Sequence, residues 1–199
     1  MLGENLKLFS FYSFSMFLIY AHWLLSKRFS GFFSSILVDF SLYFIIPFSI
    51  ASLMKLNVGL SIGKKDGYKY ALLLLLLSLP LSYYASNLRE FDDYYPIFYF
   101  RTWNEFILRE IALTLSFFAC EAFYRGILLF PLAKKNETLA ILLQNVPYTL
   151  LHTGKPFLEI PYAFVAGVVF CKIDLKSESF LPSFLLHYTG SLIFDIFCA

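Results

Sequence analysis

Tyr70 to Ala85 reads YALLLLLLSLPLSYYA, with six consecutive leucines from Leu72 to Leu77. No residue in it is charged, and its length is close to the roughly 17–25 apolar residues a bilayer-spanning helix needs. A soluble core does not call for a run so uniformly apolar. Working outward, comparable runs extend from Leu8 to Leu25 and from Phe32 to Met54. Four more follow: Phe106–Leu132, Thr138–His152, Phe157–Ile173 and Phe180–Ala199. Backbone groups in hydrocarbon must be satisfied within their own segment, so each run is predicted to be a helix. The alternating ten-residue strands of a membrane barrel are not apparent. The reading is an all-α, polytopic transmembrane bundle of roughly seven spans.

Composition agrees. The chain has 199 residues, 59% hydrophobic and 15% charged, against about 45–50% and about 25% in soluble domains. Mean hydropathy is +0.67. The net charge of +2 does not suggest nucleic acid as a partner. The partners expected are the lipid bilayer and a protein or peptide substrate. Basic residues cluster between the apolar runs, as juxtamembrane anchors do. Cys120, Cys171 and Cys198 lie within or at the ends of those runs, with no CxxC and no zinc-finger spacing. No cleavable signal peptide is evident, so the first run is read as a retained helix.

With seven spans, one set of loops holds Lys55, Lys64, Lys65, Lys69, Lys134, Lys135, Lys172 and Lys176. The other holds Lys27, Arg28, Arg89, Arg101 and Lys155. The excess places the amino terminus inside a cytoplasmic (inner) membrane. Ser86–Glu105, rich in tyrosine and charge, is expected on the membrane surface, and Lys172–Glu178 as a charged loop. Residues 1–105 form the amino-terminal helices and surface loop, and residues 106–199 the core carrying the polar set, within one membrane domain.

Ionisable groups inside a bilayer cost at least about 2.5–3.5 kcal/mol each and usually face the bundle interior. The informative set is Cys120, Glu121, Arg125, His152, His187, Ser191 and Asp195. Glu121 and Arg125 are four apart and share a helix face. His187, Ser191 and Asp195 make one polar stripe on the last helix. Peptide hydrolysis needs a base to activate water and donors to hold an oxyanion, and this set offers both. Each residue also has a plainer role, as a buried ion pair or an interhelical hydrogen bond. His22, Asp39 and Glu159 lack such partners in the sequence and are read as structural.

Three segments carry a resemblance: CEAFYRGILL from Cys120 to Leu129, YTLLH from Tyr148 to His152, and HYTGS from His187 to Ser191. In order, spacing and placement on apolar helices they resemble the EExxxR, FxxxH and HxxxN motifs of the CAAX-protease and bacteriocin-processing family of glutamic-type intramembrane proteases. The likeness covers about Phe106 to Ala199, and the loop from Val58 to Gly67 resembles that family's upstream connection. It implies that the first Glu and the second-motif His activate water, while the third-motif His and Asn hold the oxyanion. His152 and His187 match those histidines, Arg125 the structural Arg, Glu121 the second Glu, and Tyr148 the motif's Phe.

Two positions depart. Cys120 stands for the first Glu and Ser191 for the Asn. A thiol of unperturbed pKa about 8.5 cannot do a carboxylate's work at neutral pH. Three mechanisms stay open: Glu121 as base with His152, a Cys120 nucleophile assisted by His152, or an inactive relative serving as a binding, immunity or scaffold protein. No cofactor is expected. Zinc on Glu121, His152 and His187 is possible in ligand number but not favoured, since HExxH is missing.

Overall fold

In the computed structural model, which describes residues 2–199, every regular element is helical. Helix α1 is Leu2–Arg28, α2 Phe32–Leu53, α3 Lys65–Ser86, and α4 the single turn Arg89–Asp92. Helix α5 is Trp103–Glu121, α6 the turn Phe130–Ala133, α7 Glu137–Leu150, α8 Glu159–Ser177, and α9 Leu181–Cys198.

Four helices are long and apolar enough to cross a membrane: α1 over Gly3–Arg28, α2, α3 and α9. The other three expected spans fall outside that measure for identifiable reasons. Helix α5 carries Glu105, Arg109, Glu110 and Glu121. Helix α7 has 14 residues, a rise of about 21 Å against a hydrocarbon core of about 30 Å. Helix α8 carries Glu159, Lys172, Asp174 and Lys176. The outer surface is lined with leucines such as Leu72, Leu73, Leu76 and Leu77, all more than half exposed. Such broad apolar exposure suits contact with acyl chains.

Two π-helical turns interrupt the bundle, Phe40–Ile45 inside α2 and Ala122–Ile127 directly after α5. They pack against each other: the Tyr43 and Phe123 rings stack at 4.7 Å, and the Tyr124 hydroxyl lies 3.4 Å from that of Tyr43. A π turn adds a residue to the helical repeat and shifts the face that later side chains present. The shift falls within the segment that carries Arg125.

The 54–64 connection lies along the turn between α8 and α9. Lys64 N–H donates to the Ser177 carbonyl at 2.7 Å, and Phe180 N–H to the Gly59 carbonyl at 3.3 Å. Gly63 has φ +71, and a Cβ there would lie 2.5 Å from the Ser177 carbonyl oxygen. Only glycine fits both demands.

The expected charged loop Lys172–Glu178 is helix up to Ser177, ended by Glu178 at φ 61. Its charges split by face: Lys172 and Lys176 point out, to Glu137 and to the Tyr70 hydroxyl, while Asp174 is fully buried. The expected helix Phe106–Leu132 begins earlier, at Trp103, because Thr102 caps it. The Thr102 hydroxyl accepts from Glu105 N–H at 3.2 Å, and the Glu105 carboxylate accepts from Arg101 N–H, one residue before the cap, at 3.0 Å. Within the surface loop, Phe91 and Phe98 turn inward and are buried.

Candidate active site

The π turn after α5 and the first turns of α9 meet in a fully buried ionic cluster. Glu121 and Arg125 are both 0% exposed, with Arg125 Nε 3.3 Å from Glu121 Oε2. His187 Nδ1 lies 2.7 Å from Glu121 Oε1, so the ring donates to the carboxylate. The Ser183 hydroxyl approaches Glu121 at 3.3 Å and Asp174 at 2.6 Å. The guanidinium lies 3.7 Å from the centre of the Tyr148 ring, close enough for a cation–π contact. Room for it depends on Gly167 in α8, where a methyl would overlap Asn145 Oδ1 and come within 3.3 Å of Arg125.

Beyond Tyr148 lies a cavity of about 780 Å³ between α3, α5, α7, α8 and α9. Cys120, Tyr148, His152, His187 and Ser191 all line it. Tyr148 is the shared wall, its ring 5.0 Å from that of His152 and 6.2 Å from that of His187. His152 Nδ1 is 3.1 Å from the Tyr148 carbonyl oxygen, which can only accept, so Nδ1 carries the proton. The neutral ring then bears its lone pair on Nε2. His187 is fixed in the same way through Nδ1 by Glu121, and Phe117 packs edge-on at 4.8 Å.

The expected site residues therefore separate. Cys120, Tyr148, His152, His187 and Ser191 come together on one cavity. Glu121 and Arg125 do not line it. Glu121 is sealed, with its oxygens committed to Arg125, His187 and Ser183. Asp195 is also buried and off the cavity, with neither oxygen hydrogen-bonded. Cys120 makes no hydrogen bond to either imidazole among the described residues, and no three His, Cys, Asp or Glu side chains there form a metal-holding group.

Three residues read as partnerless in the sequence have partners in space. His22 Nε2 is 2.7 Å from Asp39 Oδ1, and the Ser116 hydroxyl donates to the other oxygen of Asp39. Glu159 accepts from the Tyr95 hydroxyl at 2.7 Å and from Lys155 Nζ at 2.7 Å. Its Oε1 lies 3.8 Å from His152 Nε2. The i,i+4 spacing of Lys155 and Glu159 was the available signal; nothing in the sequence pointed to Tyr95, Asp174 or Ser183.

Residues 102–193 match the family model described as Type II CAAX prenyl endopeptidase Rce1-like. That span contains all three motifs, and over it the CAAX-protease resemblance read from them is shown. No curated protein and no solved structure matches the chain.

Proposed function

We propose that this chain, with its Rce1-like segment, is a seven-span intramembrane endopeptidase. It hydrolyses a peptide bond of a membrane-associated protein or peptide with water activated in the cavity. The observation that carries this reading is the convergence of His152 and His187 on one cavity across Tyr148. Seven spans follow if α5, α7 and α8 cross with the four apolar helices, and each of the three exposes apolar side chains such as Leu108, Leu150 and Val165 that can meet lipid. The ion pairs Lys135–Glu4, Lys172–Glu137 and Lys64–Glu178 gather the amino terminus and the lysine-rich turns at one end of the bundle, as alternate crossing requires. That end faces the cytoplasm. The whole chain acts as one membrane domain.

In this mechanism His152 Nε2 accepts a hydrogen bond from the attacking water. The Ser191 hydroxyl donates to the oxyanion, and so does His187 from Nε2–H as an imidazolium, its Nδ1–H being held by the Glu121 carboxylate. Glu121 is a positioning residue, holding the His187 ring through Nδ1, and Arg125 balances the Glu121 charge. The family description makes a farnesylated carboxyl-terminal peptide the first probe, together with a pooled set of single-span peptides. In proteoliposomes, with fragments read by mass spectrometry, His152→Ala is expected to lower cleavage by about 10²–10⁴-fold, the usual worth of a general base. Unchanged cleavage by a correctly inserted His152→Ala protein would refute the reading.

Cys120 at the position of the motif's first Glu favours a second reading, an inactive relative that binds a membrane peptide. It predicts no cleavage by the wild type and peptide binding that survives loss of either histidine.

A further inference from the structure

We infer that Glu159, from a different helix lining the same cavity, supplies the water-activating carboxylate that Cys120 does not provide. This rests on the endopeptidase reading above. Among the described residues, Glu159 is the one acidic side chain lining the cavity. The cavity keeps two imidazoles and has a thiol where the family motif places a carboxylate. A relocated carboxylate restores the missing group.

The geometry fits the task. Glu159 Oε1 and His152 Nε2 are 3.8 Å apart, too far for a direct hydrogen bond. Both are acceptors, since His152 holds its proton on Nδ1 against the Tyr148 carbonyl. One water can point one O–H at each, which aims its lone pairs away from both. The carboxylate is held in place: Tyr95 donates to Oε2 at 2.7 Å, Lys155 donates to Oε1 at 2.7 Å, and the side chain is 13% exposed.

The step balances without a cofactor. The water oxygen bonds to the carbonyl carbon, one water proton passes to Glu159, and the C=O π pair moves to oxygen. Collapse re-forms C=O and breaks C–N. The proton on Glu159 then goes to the leaving nitrogen, giving a carboxyl group and an amine.

A plainer role is that Lys155 and Glu159 only brace the turn between α7 and α8. The two roles part on rescue. In proteoliposomes with the farnesylated peptide, Glu159→Gln keeps an acceptor for Tyr95. It is expected to lower kcat by about 10²–10⁴-fold with KM nearly unchanged. Adding Cys120→Glu, which returns a carboxylate to the motif position, is expected to recover at least tenfold. A brace would not be replaced from Cys120. Glu159→Gln retaining more than a tenth of kcat overturns the assignment, as does loss without recovery in the double variant. If Glu159→Gln fails to insert, Glu159→Asp carries the test, and an unchanged kcat overturns it. A silent wild type that becomes active as Cys120→Glu overturns the assignment but keeps the endopeptidase site. Silence in both overturns the endopeptidase reading, and the assignment with it.

Discussion

Replacing Glu121 by Gln tests whether the buried cluster is an ion pair that holds the helices or a reservoir of catalytic charge. Both Glu121 and Arg125 are fully buried, and the guanidinium has no geometrically satisfied hydrogen bond; its compensation is the Glu121 carboxylate at 3.3 Å and the face of Tyr148 at 3.7 Å. Removing one member of such a pair leaves an uncompensated charge, at a cost of about 3–5 kcal/mol, whereas replacing both by apolar groups is often neutral. Glu121→Gln and Arg125→Met are therefore each expected to destabilise by about 3–5 kcal/mol, and the double variant, in which the pair's two charges are both gone and the Gln amide keeps His187 and Ser183 as partners, by no more than about 2 kcal/mol. Against a total of about 5–15 kcal/mol, each single loss is large. The assay is SDS-titrated unfolding in mixed micelles, followed by far-ultraviolet circular dichroism. A double variant as unstable as the two singles summed would refute the reasoning, as would a Glu121→Gln protein within about 1 kcal/mol of wild type.

The same position separates positioning from proton transfer. Gln keeps an oxygen for the His187 Nδ1–H; Ala keeps nothing. A positioning role predicts that Glu121→Ala loses far more kcat than Glu121→Gln. A water-activating role predicts equal losses, because neither variant has a base.

Two further outcomes follow from packing and charge. Gly167→Ala puts a methyl onto Asn145 Oδ1, while the Asn145 amide is held by the Phe164 carbonyl at 2.9 Å. Overpacking of this kind costs about 1–3 kcal/mol; the same unfolding titration should show it, and Asn145→Ala should relieve it. With the three native cysteines replaced, Asn87→Cys should react with a membrane-impermeant maleimide on intact cells and Lys64→Cys should not, because Lys64 belongs to the lysine-rich end that the positive-inside rule places in the cytoplasm. Reversed labelling would turn the bundle over.

The apolar runs were legible because a bilayer imposes a length and a hydropathy on each helix, and those constraints are local. The charged helices were harder. Lys172, Asp174 and Lys176 read as a solvated loop, since charge density is visible in a sequence while the direction of a side chain is not. What turns Asp174 inward is Ser183, nine residues on and in another helix. The adjacent residues Cys120 and Glu121 pose the sharper case. An ideal helix sets them about 100° apart, so they need not face the same cavity, and the family motif has a carboxylate at both positions. Here the thiol faces the cavity and the carboxylate faces Arg125, at the entry to a π turn that a 3.6-residue period does not anticipate. Glu159 was discounted because its neighbours in sequence offered only Lys155; Tyr95, which fixes its other oxygen, lies 64 residues earlier in a surface loop. The histidines, whose spacing matched a motif, could be placed from sequence. The carboxylate facing His152 could be found only in three dimensions, because its position depends on a contact between two connecting segments and not on the period of any helix.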